Sequence, residues 1–381
     1  MSLTVTSAFD SGNIELVNAD GDTLELHIAK DHQSDFYQWF HFKLVGGQGR
    51  EVRLDITNAG KAAYPAGWPD YKAYMSIDRE EWTRVDTTSY ADDTLTIRLV
   101  PETDCIYLAY YIPYSMDRHL DLVATIAALP DVQYRSLGKT LDGQDLDYLV
   151  MGEGDLTVWL YARQHPGESQ AEWWMEGALD KLTDPDDPVS RNLLKHCTFH
   201  IVPNMNPDGS KRGHLRTNAV GTNLNREWDN PTAEKSPEVL YVRNRMDETG
   251  VDFAMDVHGD EAIPAAFLAG FEGIPSIEDA QYALFKKFSA ALNAATPDFQ
   301  EEKGYEISKP GDANLSMSTT QLAERFGAVS MTLEMPFKDN DDLPDPIYGW
   351  STERCAHLAH ACLATLNGLL PDLIERKKAR G

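Results

Sequence analysis

Four short apolar runs constrain this chain more than any other feature. They cover residues 156–161, 198–202, 253–257 and 328–333. Each is of strand length and is rich in Val, Ile, Phe, Trp or Tyr, or in Met and Leu. Between and after them lie segments with helical spacing, at about 171–183, 236–247, 279–293, 317–326 and 352–376. Short apolar strands alternating with helices predict an α/β domain built on a parallel or mixed sheet. In such sheets ligands bind beyond the carboxyl ends of the strands. The residues that follow each run are therefore the candidates for function.

After the first run comes Arg163-Gln164-His165-Pro166-Gly167-Glu168, leading into the helical pattern that starts at Ala171. The spacing predicts that His165 and Glu168 share a first helical turn and point to one side, with Pro166 at the first helical position. An imidazole and a carboxylate converging in this way supply two of the ligands that zinc prefers. Alone, such a pair is a weak signal, because surface loops carry it by chance. The third run ends in His258-Gly259-Asp260 and the fourth in Glu334-Met335-Pro336. A His–Glu pair with a distant second His leaves one zinc position open, the pattern of a catalytic rather than a structural site. Glu334, at the end of an apolar strand, is costly to bury without a task. A carboxylate there can take a proton from a zinc-activated water.

The first 115 residues read differently. Positions 13–28 alternate around Asp20-Gly21, a hairpin signal. Val52, Leu54 and Ile56 alternate with polar residues, as do Leu95, Ile97 and Leu99, and 105–112 is a further apolar run. No long helical period interrupts them, so an antiparallel β-sandwich is expected over 1–115. The aromatics Trp39, Phe40, Tyr64 and Trp82 are expected mainly in its core. Pro113-Tyr114-Ser115 ends the pattern, and 116–381 form the second domain.

With 34 basic and 61 acidic side chains the formal charge is −27. That excess repels nucleic acid and anionic membrane surfaces, so neither is expected as a partner. The four cysteines form no C-x-x-C pair, and no stretch reaches the length of a membrane span. These features point to the cytoplasm. Oligomerisation is left open.

The motifs together carry a resemblance. His165-Pro166-Gly167-Glu168, Asn206-Pro207-Asp208-Gly209, Gly213-His214-Leu215-Arg216, Asn223-Leu224-Asn225-Arg226-Glu227-Trp228, Asp256-Val257-His258-Gly259 and Thr332-Leu333-Glu334 stand in the order of the zinc metallocarboxypeptidases. The cytosolic carboxypeptidase branch is the most similar, and Tyr37-Gln38-Trp39-Phe40 and Ile56-Thr57-Asn58 resemble its front β-sandwich. The resemblance implies one zinc ion held by His165, Glu168 and His258. It implies Glu334 as general base, Arg216 as oxyanion stabiliser, and Asn225 with Arg226 as the clamp on the substrate's terminal carboxylate. The implied activity is hydrolysis of C-terminal residues from peptides or protein tails.

Some positions depart from the pattern. Gly167 replaces an Arg of secreted relatives, as in the cytosolic branch. Asn223 stands where the family often has an Asp orienting the first zinc-ligand His. Counting back from Glu334 to the usual substrate-capping Tyr reaches Asp312, with Tyr305 out of register. Residues 311–321, the pocket segment, hold no Lys or Arg, although Lys309 and Arg325 flank it. That weighs against glutamate tails as substrate. Two alternatives compete: a zinc amidohydrolase of the aspartoacylase or desuccinylase type, and a non-catalytic binding protein.

Overall fold

A computed structural model describes residues 2–380. The front of the chain forms strands β1 (Thr4–Thr6), β2 (Glu15–Asp20), β3 (Thr23–His27), β4 (His41–Val45), β5 (Val52–Ile56), β6 (Tyr74–Ser76), β7 (Thr83–Arg84), β8 (Ser89–Ala91), β9 (Thr94–Leu99) and β10 (Cys105–Ala109). They make two five-stranded sheets, ordered β1-β4-β10-β6-β7 and β2-β3-β5-β9-β8. Leu24, Leu26, Val52, Leu54, Ile56, Leu95 and Ile97 from one sheet meet Phe42, Leu44, Ile106 and Leu108 from the other in one buried core. The sandwich is therefore as expected, with one exception. β3 and β5 pair in parallel, because the chain between them crosses to the other sheet through β4 before returning. The two-residue turn Gly21-Asp22 joins β2 to β3, and Gly21 takes φ +58°. Trp39, Phe40 and Trp82 are buried in this core, whereas Tyr64 is only partly covered.

The second part contains α1 (Met116–Ala127), β11 (Val132–Lys139), β12 (Asp145–Met151), β13 (Leu156–Ala162), α2 (Gln170–Thr183), α3 (Pro188–His196), β14 (Cys197–Val202), α4 (Pro207–Arg212), α5 (Pro237–Thr249), β15 (Phe253–Asp260), β16 (Phe267–Ala269), α6 (Asp279–Ala295), α7 (Ser318–Phe326), β17 (Val329–Pro336) and α8 (Thr352–Arg380). Its mixed seven-stranded sheet runs β11-β12-β14-β13-β15-β17-β16. The four central strands are parallel to one another, and the edge strands are antiparallel. β13, β15 and β17 are buried along their whole length, as parallel strands covered on both faces must be. α2, α6 and α8 cover one face and α5 the other. One apolar cluster runs from the sandwich into the helices, with Phe337 stacked on Tyr110 at 4.7 Å.

The loop after β13 differs from the expected helical turn. α2 begins only at Gln170, so Pro166 is not its first residue and Glu168 precedes the helix. A tight turn, closed by the Glu168 N–H donating to His165 O at 3.2 Å, carries both side chains instead. The reverse holds at Asn206-Pro207-Asp208-Gly209, which reads as a plain turn. There Asn206 caps α4, its Oδ1 accepting from the Gly209 N–H at 3.0 Å.

Candidate active site

The ends of β13, β15 and β17 bring His165, Glu168, His258 and Glu334 together. In β15 and β17, His258 stands directly opposite Glu334. His165 Nδ1 lies 2.7 Å from Glu168 Oε1, His258 Nδ1 lies 2.7 Å from Glu168 Oε2, and the two Nδ1 atoms are 3.1 Å apart. One donor atom from each of the three residues falls within 4.8 Å of the others, and all three residues are buried. Two imidazole nitrogens facing each other across a carboxylate is an arrangement that calls for a cation.

The tautomers agree with that. His165 Nε2 is 3.1 Å from Asn223 Oδ1, so the proton sits on Nε2 and the Nδ1 lone pair faces the cluster. His258 Nε2 lies 2.9 Å from Asp256 Oδ2, though poorly aligned with it. Asp256 is itself tied to Gln164 Nε2 at 2.6 Å and to Ser318 Oγ at 2.5 Å. Burial, reinforced by Arg216, pushes the His165 pKa down to about 3, so this ring is neutral. At His258 burial acts in the same direction, but Asp256 and Glu168 outweigh it and raise the pKa. Burial raises the pKa of Glu334, aided by Glu168 and Asp260, and its Oε2 has no partner. Positive charge among the three ligands would draw that carboxyl back toward ionisation. The donor set and this orphaned oxygen both fit a zinc ion.

Two guanidiniums stand beside the cluster. The Arg216 Cζ lies 5.6 Å from the ring centre of Phe36 and 5.4 Å from that of Tyr64. Arg226 is lowered in pKa by burial and by the charge of Arg216. Neither has an ion-pair partner among the described residues. Asn225, next to Arg226, is fixed by Ser318, whose N–H donates to its Oδ1 at 2.9 Å. Two like charges close together with no counter-ion form a receptor for an anion.

Tyr305, set aside by counting along the sequence, is at the site. Its hydroxyl lies 2.8 Å from Asp260 Oδ2 and 3.1 Å from Glu334 Oε1. Its single proton can serve only one of them at a time. The ring is held edge-on by Phe267 at 4.9 Å. Arg325 is bound through two contacts of 2.7 and 2.8 Å to Asp247, so its charge is already neutralised.

Beneath the turn that carries His165, the buried Arg163 adopts φ +61°, a conformation costly for a side chain of this size. Its guanidinium donates to Pro166 O at 3.0 Å, Tyr114 O at 2.9 Å and Glu172 Oε2 at 2.6 Å. Glu172 also lies 2.5 Å from His119 Nδ1, and His119 Nε2 lies 2.9 Å from Asp147. The strained loop therefore rests on a buried chain of alternating charges.

Comparison with known proteins agrees with this geometry. A family model for the cytosolic carboxypeptidase N-terminal domain matches residues 5–111, and one for zinc carboxypeptidases matches 120–268. An uncharacterized protein of Zymomonas mobilis is 58% identical over 373 residues, 98% of each chain. The crystal structure of a metallo-carboxypeptidase from Burkholderia cenocepacia superposes with a TM-score of 0.94 at 45% identity, covering 97% of this chain and 99% of that one. A Pseudomonas aeruginosa metallo-carboxypeptidase, solved in complex with (2-guanidinoethylmercapto)succinic acid, gives 0.94 at 41%, covering 97% and 100%. The match to the front domain sets the amidohydrolase alternative aside, since those enzymes typically lack it, and the family's enzymes displace the idea of a non-catalytic binding protein. The chain belongs to the zinc carboxypeptidase family, and is a metallocarboxypeptidase.

Proposed function

We propose that this metallocarboxypeptidase uses one zinc ion, held by His165, Glu168 and His258, to remove residues from the C-termini of peptides or protein tails. The observation that carries the reading is the pair of guanidiniums without an ion-pair partner among the described residues, Arg216 and Arg226, beside a three-ligand cluster. Zinc bound there would lower the pKa of a water and polarise the scissile carbonyl. Glu334 would take a proton from the attacking water onto its carboxylate and deliver it to the departing amine. Arg216 donates to the carbonyl oxygen as negative charge gathers on it, in surroundings dry enough to make the donation count. Asn225 and Arg226 receive the terminal carboxylate, which restricts cleavage to chain ends. Tyr305 donates to Glu334 or to Asp260 and so holds the base in line.

Specificity for glutamate tails is not favoured. Arg325 is paired with Asp247, and the Asp260 carboxylate adds negative charge beside Glu334. Neutral or basic tails suit these surroundings better. The four cysteines are free, no helix among the described residues is long and apolar enough to cross a membrane, and we place the enzyme in the cytoplasm. The reading is tested with Glu334→Gln. Turnover of C-terminally free peptides should fall by roughly three decades or more while zinc stays at one per chain, as for loss of a group that acts in the transition state. Retained turnover would refute the assignment.

A further inference from the structure

We propose that Asp31, in the front domain, is a positioning residue for Arg216, which makes the sandwich a working part of the active site. The inference rests on Arg216 being the oxyanion donor. Asp31 is 2% exposed. Its carboxylate crosses the domain junction and accepts from a continuous stretch of the catalytic domain. Oδ1 takes the Leu215 N–H at 2.7 Å, and Oδ2 takes the Arg216 N–H at 2.8 Å, the Thr217 N–H at 2.9 Å and the Thr217 hydroxyl at 3.0 Å. No Lys or Arg pairs with Asp31 among the described residues. Its charge is satisfied by these donors, three of them successive backbone groups, and hydrogen bonds to a charged group are the strong kind.

The same short loop also shapes the Arg216 side chain. The Asp31 N–H donates to Phe36 O at 2.8 Å, closing residues 31–36 into a turn, and the Phe36 ring forms one wall against the guanidinium, with Tyr64 as the other. Neighbouring contacts hold the segment from the same side. The His32 N–H donates to His214 Nε2 at 3.1 Å and Asn13 Nδ2 donates to Gly213 O at 3.0 Å. Gly213 has φ +70°, and a Cβ there would lie 2.7 Å from Ser11 O. From its own domain the segment has less. It belongs to no helix or strand, and its backbone ties are the Gly213 N–H to Ser210 O at 3.3 Å, the His214 N–H to Gly209 O at 3.0 Å and Leu215 O accepting from the Gly167 N–H at 2.9 Å. The last tie leads straight to the turn bearing His165 and Glu168. Arg216 is thus suspended between the metal loop and Asp31, and only the front domain fixes its backbone N–H.

The test is a double-mutant cycle on the full zinc-loaded chain with a C-terminally free peptide: wild type, Asp31→Asn, Arg216→Ala and the double variant, with kcat, KM, zinc content and Tm for each. Arg216→Ala should lower kcat by roughly two to three decades, as for loss of an oxyanion donor. Asp31→Asn should lower kcat about tenfold or more, with KM within about threefold and one zinc retained, and the double variant should match Arg216→Ala within about twofold. An Asp31→Asn effect that multiplies undiminished in the Arg216→Ala background would overturn the proposal and leave Asp31 a simple anchor between domains. Wild-type kcat in Arg216→Ala would instead remove the oxyanion assignment, and this proposal with it. Should Asp31→Asn fail to fold, Phe36→Leu takes its place in the cycle, with the same outcomes.

Discussion

His119 offers a perturbation whose size follows from the structure. It is 1% exposed and lies between Glu172 and Asp147. Burial alone would lower its pKa, but the two carboxylates reverse that and raise it to about 9 from an ordinary 6.5. A folded-state pKa above the unfolded one means that folding takes up a proton between these values. The stabilisation is complete below about pH 6.5 and is lost as pH rises through 9. At about 1.4 kcal/mol per pH unit the effect reaches up to about 3 kcal/mol. Glutamine at position 119 cannot carry the charge. It would leave Glu172 with Arg163 and Asn204, and Asp147 with Tyr134. Urea unfolding of wild type and His119→Gln from pH 6 to 10 measures the difference. Glu238, which burial raises to about 8, also makes stability fall with pH, but equally in both proteins. The gap should be about 3 kcal/mol near pH 6.5 and close progressively by pH 10. Two curves running parallel across this range would show that His119 carries no extra proton in the folded state.

Other outcomes follow from the site. Asn223→Asp should tighten zinc binding about tenfold, measured by competition with a chelator, because a carboxylate makes the His165 ring a stronger donor than an amide does. Arg226→Lys should raise KM about tenfold or more for peptide acids, with kcat little changed, because the forked contact to a carboxylate is lost; peptide amides should show no such change. Tyr305→Phe removes a hydrogen bond that favours ionised Glu334 against the burial that opposes it. The acid limb of the kcat/KM profile should therefore move to higher pH.

The periodicity of the sequence was informative wherever one face or one whole strand is buried, and less so where tertiary contact decides. β13, β15 and β17 announce themselves as apolar runs, and strand ends are where His258 and Glu334 stand. α3 carries too few apolar residues to register as a periodic segment, with only Ser190 and Leu193 buried. The start of α4 was hidden because an Asn-Pro-Asp-Gly stretch suits a turn as well as a capped helix. Parallel pairing of β3 with β5 depends on the path of β4, which no local pattern encodes. Tyr305 was missed for a related reason. Counting back from Glu334 assumes a loop of fixed length, whereas the ring is delivered to the site by packing on Phe267. Nothing local marks Asp31 either, because its four donors lie more than 180 positions away.

That clamp also bears on how the enzyme comes into being. Asp31 leaves the ribosome early and Glu334 late, with the strands that hold His165 and His258 in between. Contacts so distant in sequence form slowly, because a long loop must close before any of them rewards the chain. On the proposed assignments, a nascent chain that already contains His165, Glu168 and His258 still lacks Glu334, and the Arg216 backbone lacks its Asp31 acceptor until the sandwich docks. Under that proposal, hydrolytic competence would require both Glu334 and the docked sandwich, and so would come only after most of the chain is made.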